Sequence, residues 1–236
     1  MSIVKHIPNT ITCCNLLSGC VSILLLCQNH VLGAATMIFV AAIFDFFDGF
    51  AARMLNAKSP IGGELDSLSD VVSFGVAPSF IIAMLLSKTG ISWMVADVNV
   101  FPMLAFILAA FAAVRLAKFN IDTRQSTSFI GLPVPAVGLF IASLPLMLSR
   151  ISTESALYNF IVNPYFLLAI VAIFSWLMIS EVPFFSFKIK SLRFKENILR
   201  YFVVIFAIVA FIILKLVALP FVFLFYILLS VICYRG

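Results

Sequence analysis

The chain has 236 residues, of which 64% are hydrophobic and only 11% are charged, whereas soluble domains carry roughly 25% charged residues. This composition excludes a soluble globular protein and predicts an all-α polytopic membrane protein with about eight transmembrane helices. The net charge of +5 would suggest nucleic acid in a soluble protein, but here it indicates topology and contact with anionic lipids, so no nucleic-acid partner is expected.

The predicted elements follow one another with short loops. The residues before the first apolar run are expected to lie at the membrane interface as a short amphipathic piece. The predicted spans are, in order, about 16–27, 31–54, 62–86, 101–117, 131–148, 164–179, 201–216 and 219–233. These spans leave no room for a separate soluble domain, so residues 1–236 are predicted to form a single integral membrane domain.

The distribution of basic residues predicts the topology, because cytoplasmic loops of membrane proteins are enriched in Lys and Arg. With eight spans and a cytoplasmic N-terminus, 12 of the 15 basic residues fall on the cytoplasmic side. They are Lys5, Arg53, Lys58, Arg115, Lys118, Arg124, Lys188, Lys190, Arg193, Lys195, Arg200 and Arg235. The other three, Lys88, Arg150 and Lys215, fall on the opposite side. One span more or fewer would move basic residues to the opposite side and reduce this asymmetry. The asymmetry therefore supports the count of eight spans.

The stretch from Asp45 to Asp70 concentrates polar residues in this apolar chain. It reads DFFDGFAARMLNAKSPIGGELDSLSD and contains four aspartates, one arginine and three glycines. Ionisable residues at membrane depth are costly and mark functional sites by default. The predicted topology puts this stretch at the cytoplasmic face.

Helical spacing groups the residues of this stretch on two faces. One face of the second span carries Asp45, Asp48, Gly49, Ala52 and Arg53. One face of the third span carries Gly62, Asp66, Asp70 and Ser73. Because the loop between the two spans is short, we expect the helices to be antiparallel neighbours whose four carboxylates converge at one depth.

Four carboxylates at one point need counter-charge, because like charges oppose one another's ionisation. Carboxylate oxygens favour Mg²⁺, Mn²⁺ or Ca²⁺, and four aspartates around two such ions suit the clamping of a diphosphate. The small residues on the same faces leave room for a ligand, and Arg53 suits phosphate oxygens. The alternative, pairing of buried aspartates with Lys or Arg, offers only Arg53 as an obvious partner.

The pattern D-x-x-D-G-x-x-A-R-x8-G-x-x-x-D-x-x-x-D from Asp45 to Asp70 resembles the signature of the CDP-alcohol phosphotransferases at all eight named positions. Flanking segments are similar to those of the CDP-diacylglycerol–serine O-phosphatidyltransferases, the phosphatidylserine synthases, within that family. These segments are IPNTITCCN, LDSLSDVVSFGVAP, RLAKFNID and FIGLPVPA. The resemblance covers about residues 5–140, which it implies to be the catalytic core. The C-terminal helices at about 164–236 are not diagnostic.

The resemblance implies a reaction of CDP-diacylglycerol with L-serine that gives phosphatidylserine and CMP. It implies that two divalent ions, Mg²⁺ or Mn²⁺ with Ca²⁺ as an alternative, are held by Asp45, Asp48, Asp66 and Asp70. It implies that Asp70 is also the general base on the serine hydroxyl, which is a weak nucleophile. The residues implied to line the CDP-lipid pocket are Gly49, Ala52, Arg53 and Gly62. It also implies a homodimer. The charge count predicts that the active site faces the cytoplasm, and the expected location is the cytoplasmic (inner) membrane.

Five further polar residues are candidate substrate contacts. Thr12 and Asn15, near the start of the first helix, could meet the nucleotide or serine, and a helix cap or interhelical bond is an equal alternative. Arg115, Lys118 and Asn120 fall on the cytoplasmic side and could bind a substrate phosphate or the serine carboxylate. The alternative for the two basic residues is a positive-inside anchor.

Three competing functions remain open at the level of sequence. Glycerol 3-phosphate or an inositol phosphate could be the acceptor, which would require extra basic residues such as Arg115, Lys118 and Arg124 near the carboxylates. A membrane cation transporter would also need buried carboxylates, but such sites usually lie near the midplane on broken helices. A purely structural scaffold would leave the four aspartates unexplained.

Overall fold

The computed structural model describes residues 6–57, 59–122, 129–184 and 198–233. The helices are α1 Ile7–Cys27, α2 Val31–Met54, α3 Pro60–Asp70, α4 Ala77–Ser87, α5 Ile107–Ile121, α6 Val134–Leu148, α7 Ala156–Ile161, α8 Pro164–Ile179, α9 Ile198–Leu214 and α10 Ala218–Cys233. A π-helical segment, Val71–Val76, joins α3 to α4, and 3₁₀ turns at Phe101–Phe106 and Lys215–Val217 precede α5 and α10. Four two-residue strands complete the description: β1 Met94–Val95, β2 Val98–Asn99, β3 Phe129–Ile130 and β4 Pro183–Phe184.

The described residues contain eight apolar helical passes, the number that the sequence predicts. Five helical stretches are long and apolar enough to cross a membrane, and α6 and α8 are shorter apolar helices. The last long stretch, Ile198–Ile232, contains both α9 and α10. These two helices pack against each other. The rings of Phe206 in α9 and Phe225 in α10, for example, stack with centroids 4.2 Å apart. The class of all-α polytopic membrane protein is confirmed.

The predicted orientation rests partly on residues that the structure does not describe. Among the basic residues of the charge count, those outside the described ranges are Lys5, Lys58, Arg124, Lys188, Lys190, Arg193, Lys195 and Arg235. The cytoplasmic position of the N-terminus therefore stays a prediction.

Helix α1 begins earlier than predicted. The polar residues before Leu16 continue the membrane helix back to Ile7, instead of forming a separate interfacial piece. The hydroxyl groups of Thr10 and Thr12 donate to the carbonyls of His6 and Pro8, both at 3.0 Å. Hydroxyl groups that bond to the preceding helical turn are satisfied without water, so these threonines do not interrupt the helix.

The third pass starts with a cap and contains a change of helix type. The Ser59 hydroxyl accepts a hydrogen bond from the Gly62 backbone N–H at 3.0 Å, and Pro60 occupies the first turn. Both features favour a helix start at this position. The π-helical segment Val71–Val76 follows directly after Asp70. Such segments inside α-helices are frequent at functional sites.

Three neighbouring helices approach the π-helical segment closely. A Cβ atom built on Gly19 of α1 would lie 2.8 Å from the Cα of Ser73, and one on Gly138 of α6 would lie 2.9 Å from the Cα of Phe74. Gly75 itself faces Ala112 of α5, whose Cβ would be 3.0 Å from an added Cβ. Small residues permit such backbone approach between membrane helices, so the segment after Asp70 is fixed in the centre of the bundle.

The core lies around this segment and α4. The large side chains with almost no exposure include Phe74, Ile81, Leu108, Phe140 and Ile141. They come from the third, fourth and fifth passes, whereas α9 exposes most of its large apolar side chains. The third pass, which carries Asp66 and Asp70, is the most buried of the five long apolar stretches.

The fifth pass begins later than predicted, at Val134 rather than Gly131. Gly131 has a positive φ of 80°, its N–H donates to the Val182 carbonyl at 2.8 Å, and the Leu132 N–H donates to the Leu177 carbonyl at 3.0 Å. Backbone bonds to the end of α8, together with the β3–β4 pairing, replace the first helical turn. The short helix α7 and the β1–β2 hairpin in the loops also lie outside the sequence prediction.

Candidate active site

Three of the predicted carboxylates lie together. Asp45 and Asp48 of α2 and Asp66 of α3 each offer an oxygen, and these three oxygens lie within 4.8 Å of one another. We call these residues the carboxylate cluster. The pitch of α2 places Asp45 and Asp48 on one face. The short connection between α2 and α3 then brings Asp66 to the same depth as these two residues.

The sequence predicts that the two helices that carry the cluster are direct neighbours, but in the structure they are not in contact over most of their length. Helix α1 packs against both α2 and α3, while α2 and α3 make little contact with each other. A cavity of about 240 Å³ occupies the space between the three helices. The small residues on the two faces thus border a cavity instead of a helix–helix interface.

The fourth carboxylate, Asp70, lies beside the cluster and is held by α1. It is 5% exposed, and its Oδ1 accepts a hydrogen bond from Asn15 Nδ2 at 3.0 Å. It lies one helical turn after Asp66 on α3, and both residues line a common cavity. Asp70 therefore adjoins the cluster, but one of its oxygens already has a protein donor.

The cluster has oxygens that suit a cation. Asp48 Oδ2 and Asp66 Oδ1 are buried and have no hydrogen-bond partner among the residues that the structure describes. Buried polar atoms without partners are rare and need an explanation such as a bound ion. Hard carboxylate oxygens in this number match Mg²⁺, Mn²⁺ or Ca²⁺, so the residues present fit a divalent metal.

The cavity between α1, α2 and α3 is called cavity A. Its lining consists of Pro8, Asn9, Thr12, Asp48, Gly49, Ala52, Ala57, Ser59, Gly62, Gly63 and Asp66. Three of the four predicted CDP-lipid residues, Gly49, Ala52 and Gly62, are among them. The fourth, Arg53, lies beside the cavity, because a Cβ on Gly49 would be 3.5 Å from Arg53 Nη1.

A second cavity, cavity B, adjoins Asp66 of the cluster and also measures about 240 Å³. Its lining consists of Gly63, Asp66, Ser67, Asp70, Arg115, Leu116, Phe119, Asn120, Pro133, Val134 and Pro135. Gly63 and Asp66 line both cavities. Asp66 of the carboxylate cluster therefore borders both spaces, and Asp70 lines only cavity B.

Arg115 is the buried cation of cavity B. It is 4% exposed, and its Nε has no hydrogen-bond partner among the described residues. Its guanidinium lies over the Phe119 ring, 5.1 Å from the centroid. A buried guanidinium with a free N–H is suited to an oxyanion ligand.

The other candidate contacts are distributed over different places. Thr12 lines cavity A and Asn120 lines cavity B. Asn120 Oδ1 accepts from the Ser67 hydroxyl at 3.1 Å, and its Nδ2 donates to Glu64 Oε2 at 3.4 Å. Lys118 lines a separate cavity of about 60 Å³, cavity C, which shares Arg115 with cavity B. Asn15 is fully buried and lines none of these cavities.

Sequence reasoning missed several residues that border the two cavities. Asn9 and Ser59 line cavity A, where a Cβ on Gly62 would lie 3.1 Å from Asn9 Oδ1 and from Ser59 Oγ. Ser67 lines cavity B next to Asn120, to which its hydroxyl group donates a hydrogen bond. A signal existed for Asn9 and Ser67, since they belong to the segments IPNTITCCN and LDSLSDVVSFGVAP, but nothing in the local pattern distinguishes Ser59 from an ordinary helix N-cap.

Comparison with protein families gives one match that covers most of the chain. The model described as CDP-alcohol phosphatidyltransferase matches residues 5–184. This range contains the carboxylate cluster, Asp70 and all residues of cavities A and B.

Individual relatives share this similarity. The chain is 34% identical over 184 residues to the CDP-diacylglycerol–serine O-phosphatidyltransferase of Bacillus subtilis, covering 78% of this chain and 92% of that protein. A protein of the same name from Helicobacter pylori is 30% identical over 209 residues, covering 84% of this chain and 78% of the relative. One from Methanocaldococcus jannaschii is 32% identical over 179 residues, covering 75% and 73%.

Proposed function

Because this chain belongs to the CDP-alcohol phosphatidyltransferase family and is an enzyme of that family, we propose that it transfers the phosphatidyl group of CDP-diacylglycerol to L-serine. The products are phosphatidylserine and CMP. The observation that carries the proposal is the position of Asp66, which lines both cavity A and cavity B. A transferase must bring a donor and an acceptor to the same phosphorus, and two adjacent cavities that share one carboxylate of the cluster suit this requirement.

Cavity A is the donor site in this proposal. The absence of large side chains at Gly49, Ala52 and Gly62 lets a nucleotide diphosphate approach the backbone of α2 and α3. Arg53 beside the cavity supplies a fixed positive charge for phosphate oxygens. Asn9 and Ser59 add polar groups at the wall of the cavity, while the acyl chains stay in the bilayer.

Two divalent ions, Mg²⁺ or Mn²⁺, are proposed as cofactors, with Ca²⁺ as an alternative. Asp45, Asp48 and Asp66 would hold them, whereas Asp70, whose Oδ1 is engaged by Asn15, is assigned to proton transfer rather than to a fourth place among the metal ligands. When bound, such ions neutralise charge on a diphosphate and on the leaving phosphate. The unpartnered oxygens Asp48 Oδ2 and Asp66 Oδ1 support this assignment.

Cavity B is the acceptor site. The serine hydroxyl oxygen attacks the phosphorus that carries diacylglycerol, and the bond from this phosphorus to the CMP oxygen breaks. CMP leaves with the bonding electron pair, and the hydroxyl proton passes to the carboxylate of Asp70 as general base. Arg115 binds the serine carboxylate through its unpaired guanidinium N–H, and Asn120 borders the same space.

The charge of cavity B favours serine over a phosphorylated acceptor. Arg115 is the one cation among the described residues that line it, and Lys118 lines cavity C instead. Arg124 lies outside the described residues. One guanidinium suits the single negative charge of a carboxylate, whereas glycerol 3-phosphate or an inositol phosphate carries more charge and needs more cations.

The cellular setting is proposed from the substrates and the charge count. A soluble amino acid and a soluble nucleotide product fit an active site that faces the cytoplasm from the inner membrane. The homodimer remains a prediction from the family resemblance.

An acceptor assay tests the function. Purified protein in detergent micelles receives CDP-diacylglycerol, Mn²⁺ or Mg²⁺, and in turn L-serine, glycerol 3-phosphate or an inositol phosphate, and CMP release is followed. We expect CMP release with L-serine and formation of phosphatidylserine by mass spectrometry. CMP release with only a phosphorylated acceptor would mean that this acceptor, and not serine, is the substrate. No CMP release with any of the three acceptors would overturn the enzymatic proposal.

A further inference from the structure

We propose that Asn15 is a positioning residue that fixes the orientation of the Asp70 carboxylate, so that one oxygen is held and the other faces the acceptor. This inference rests on the proposed function, because it concerns the base of the proposed reaction. It differs from a substrate-contact role, since Asn15 is fully buried and lines neither cavity A nor cavity B.

The contact between the two side chains defines the geometry. Asn15 Nδ2 donates to Asp70 Oδ1 at 3.0 Å, within a buried environment. An ionised carboxylate can only accept hydrogen bonds, so the amide must present its NH₂ group to Asp70. With Oδ1 engaged, rotation of the carboxylate about its last bond is restricted, and Oδ2 is the oxygen left for a hydroxyl proton.

The backbone around Asn15 is tied to the helix that carries Asp70. The Ser73 hydroxyl donates to the Asn15 carbonyl at 2.9 Å. The Ser69 hydroxyl donates to the Leu65 carbonyl of its own helix at 2.8 Å and makes a longer contact of 3.3 Å with the Thr12 carbonyl. These bonds lie within one turn on either side of Asp70. Asn15 is therefore fixed to the helix of Asp70 as well as to its side chain.

The stability of the fold alone does not explain why an amide side chain, and not an apolar one, occupies the buried position of Asn15. Its Oδ1 is buried and has no hydrogen-bond partner among the described residues. A buried carbonyl without a donor destabilises a fold, and an apolar residue would fill the same volume without this cost. Local rules are typically violated in this way at functional sites, and within the described part of the chain the amide donates its hydrogen bond to Asp70.

The test compares steady-state kinetics and metal binding of three variants. Asn15→Leu keeps a similar volume without a donor, and Asn15→Ser keeps a donor on a shorter side chain. Ser22→Ala is the control, because Ser22 is a buried polar residue of α1 whose hydroxyl bonds the Ala34 carbonyl at 2.9 Å, away from Asp70. Each protein is assayed for CMP release with L-serine, and Mn²⁺ binding is measured separately by electron paramagnetic resonance without substrates.

Asn15→Leu is expected to lower kcat by about 100-fold, as for a misplaced reacting group, with both KM values and Mn²⁺ affinity nearly unchanged. The kcat of Asn15→Ser is expected to lie between those of Asn15→Leu and the wild type. Ser22→Ala is expected to have the wild-type kcat. A higher KM for serine at unchanged kcat would make Asn15 a substrate contact and overturn the inference. Loss of Mn²⁺ binding, or an equal loss of kcat in Ser22→Ala, would overturn it as well.

The failures of the two proposals are distinguishable. If the wild-type protein turns over serine and Asn15→Leu has the same kcat, the positioning role is wrong and the proposed function stands. If the wild-type protein releases no CMP with serine, the proposed function is wrong, and the positioning role for a serine base falls with it.

Discussion

Gly19 of α1 and Ser73 of the π-helical segment pack so closely that a Cβ atom on Gly19 would lie 2.5 Å from Ser73 Oγ and 2.8 Å from Ser73 Cα. The second of these atoms is backbone, which cannot rotate away. Because Ser73 also bonds the Asn15 carbonyl, this approach sets the distance between α1 and Asp70. The relationship links helix packing directly to the candidate active site.

Gly19→Ala is therefore expected to destabilise the protein and to reduce CMP release. Overpacking a tight interior contact typically costs about 1–3 kcal/mol, which outweighs the gain of up to about 1 kcal/mol from the higher helix propensity of alanine. The melting temperature in detergent measures the effect. Gly33→Ala is the control, since its Cβ would make only ordinary contacts of 3.4–3.9 Å with Leu25. Equal melting temperatures for the two variants would contradict the packing argument.

Removal of divalent metal is expected to abolish CMP release, and Mn²⁺ or Mg²⁺ to restore it. Mn²⁺ at about 100 times its Kd is expected to raise the free energy of unfolding by about 2.7 kcal/mol, which appears as a higher melting temperature. Asp48→Asn is expected to lose this stabilisation because it removes an ionised ligand. Asp97→Asn in the exposed β1–β2 turn is the control that should retain it. A stabilisation by Mn²⁺ that survives in Asp48→Asn would argue against the carboxylate cluster as the metal site.

Asp70→Asn is expected to lower kcat by at least about 10²–10⁴-fold, the usual contribution of a general base, while the protein remains folded. The substitution preserves the shape of the side chain, so its melting temperature and gel-filtration profile are expected to stay close to those of the wild type. Asp97→Asn again provides the matched control. An active Asp70→Asn protein would remove the base assignment.

Arg115→Ala is expected to raise the KM for L-serine with little change in the KM for CDP-diacylglycerol. Loss of one partner of a buried charged pair costs about 2–5 kcal/mol, or roughly 30-fold or more in affinity. Arg115→Lys is expected to restore the activity only in part, because an ammonium group lacks the planar fork of the guanidinium. Arg150→Ala, at an exposed position after α6, is the control. If the KM for the CDP-lipid rises instead, Arg115 acts on the donor.

Gly62→Ala is expected to raise the KM for CDP-diacylglycerol more than the KM for serine. Its new Cβ would lie 3.1 Å from Asn9 Oδ1 and from Ser59 Oγ and would narrow cavity A. Gly63→Ala is the matched comparison and is expected to have a smaller effect, because a Cβ at Gly63 meets nothing within 4 Å. Steady-state kinetics with each substrate varied in turn measure both values. A larger effect on the serine KM would assign cavity A to the acceptor.

Much of the chain was predictable because membrane insertion and helical periodicity are local properties. The bounds of α2 and α8 agree with the predicted spans 31–54 and 164–179, since polar or proline-containing turns flank both helices. The family was predictable because the eight positions from Asp45 to Asp70 are close in sequence. The faces of Asp45 and Asp48 followed from the pitch of a single helix.

The sequence by itself thus determined the class of fold, the family and the carboxylates of interest. Only the tertiary structure decided that α2 and α3 separate around cavity A, that Asp66 borders two cavities, and that Asn15 contacts Asp70 from a helix 55 positions away in the chain. Helical phase shows which residues share a face, but it does not show which face of another helix they meet. That choice depends on close approaches such as Gly19 with Ser73 and Gly138 with Phe74, because packing between helices is a property of distant residues together.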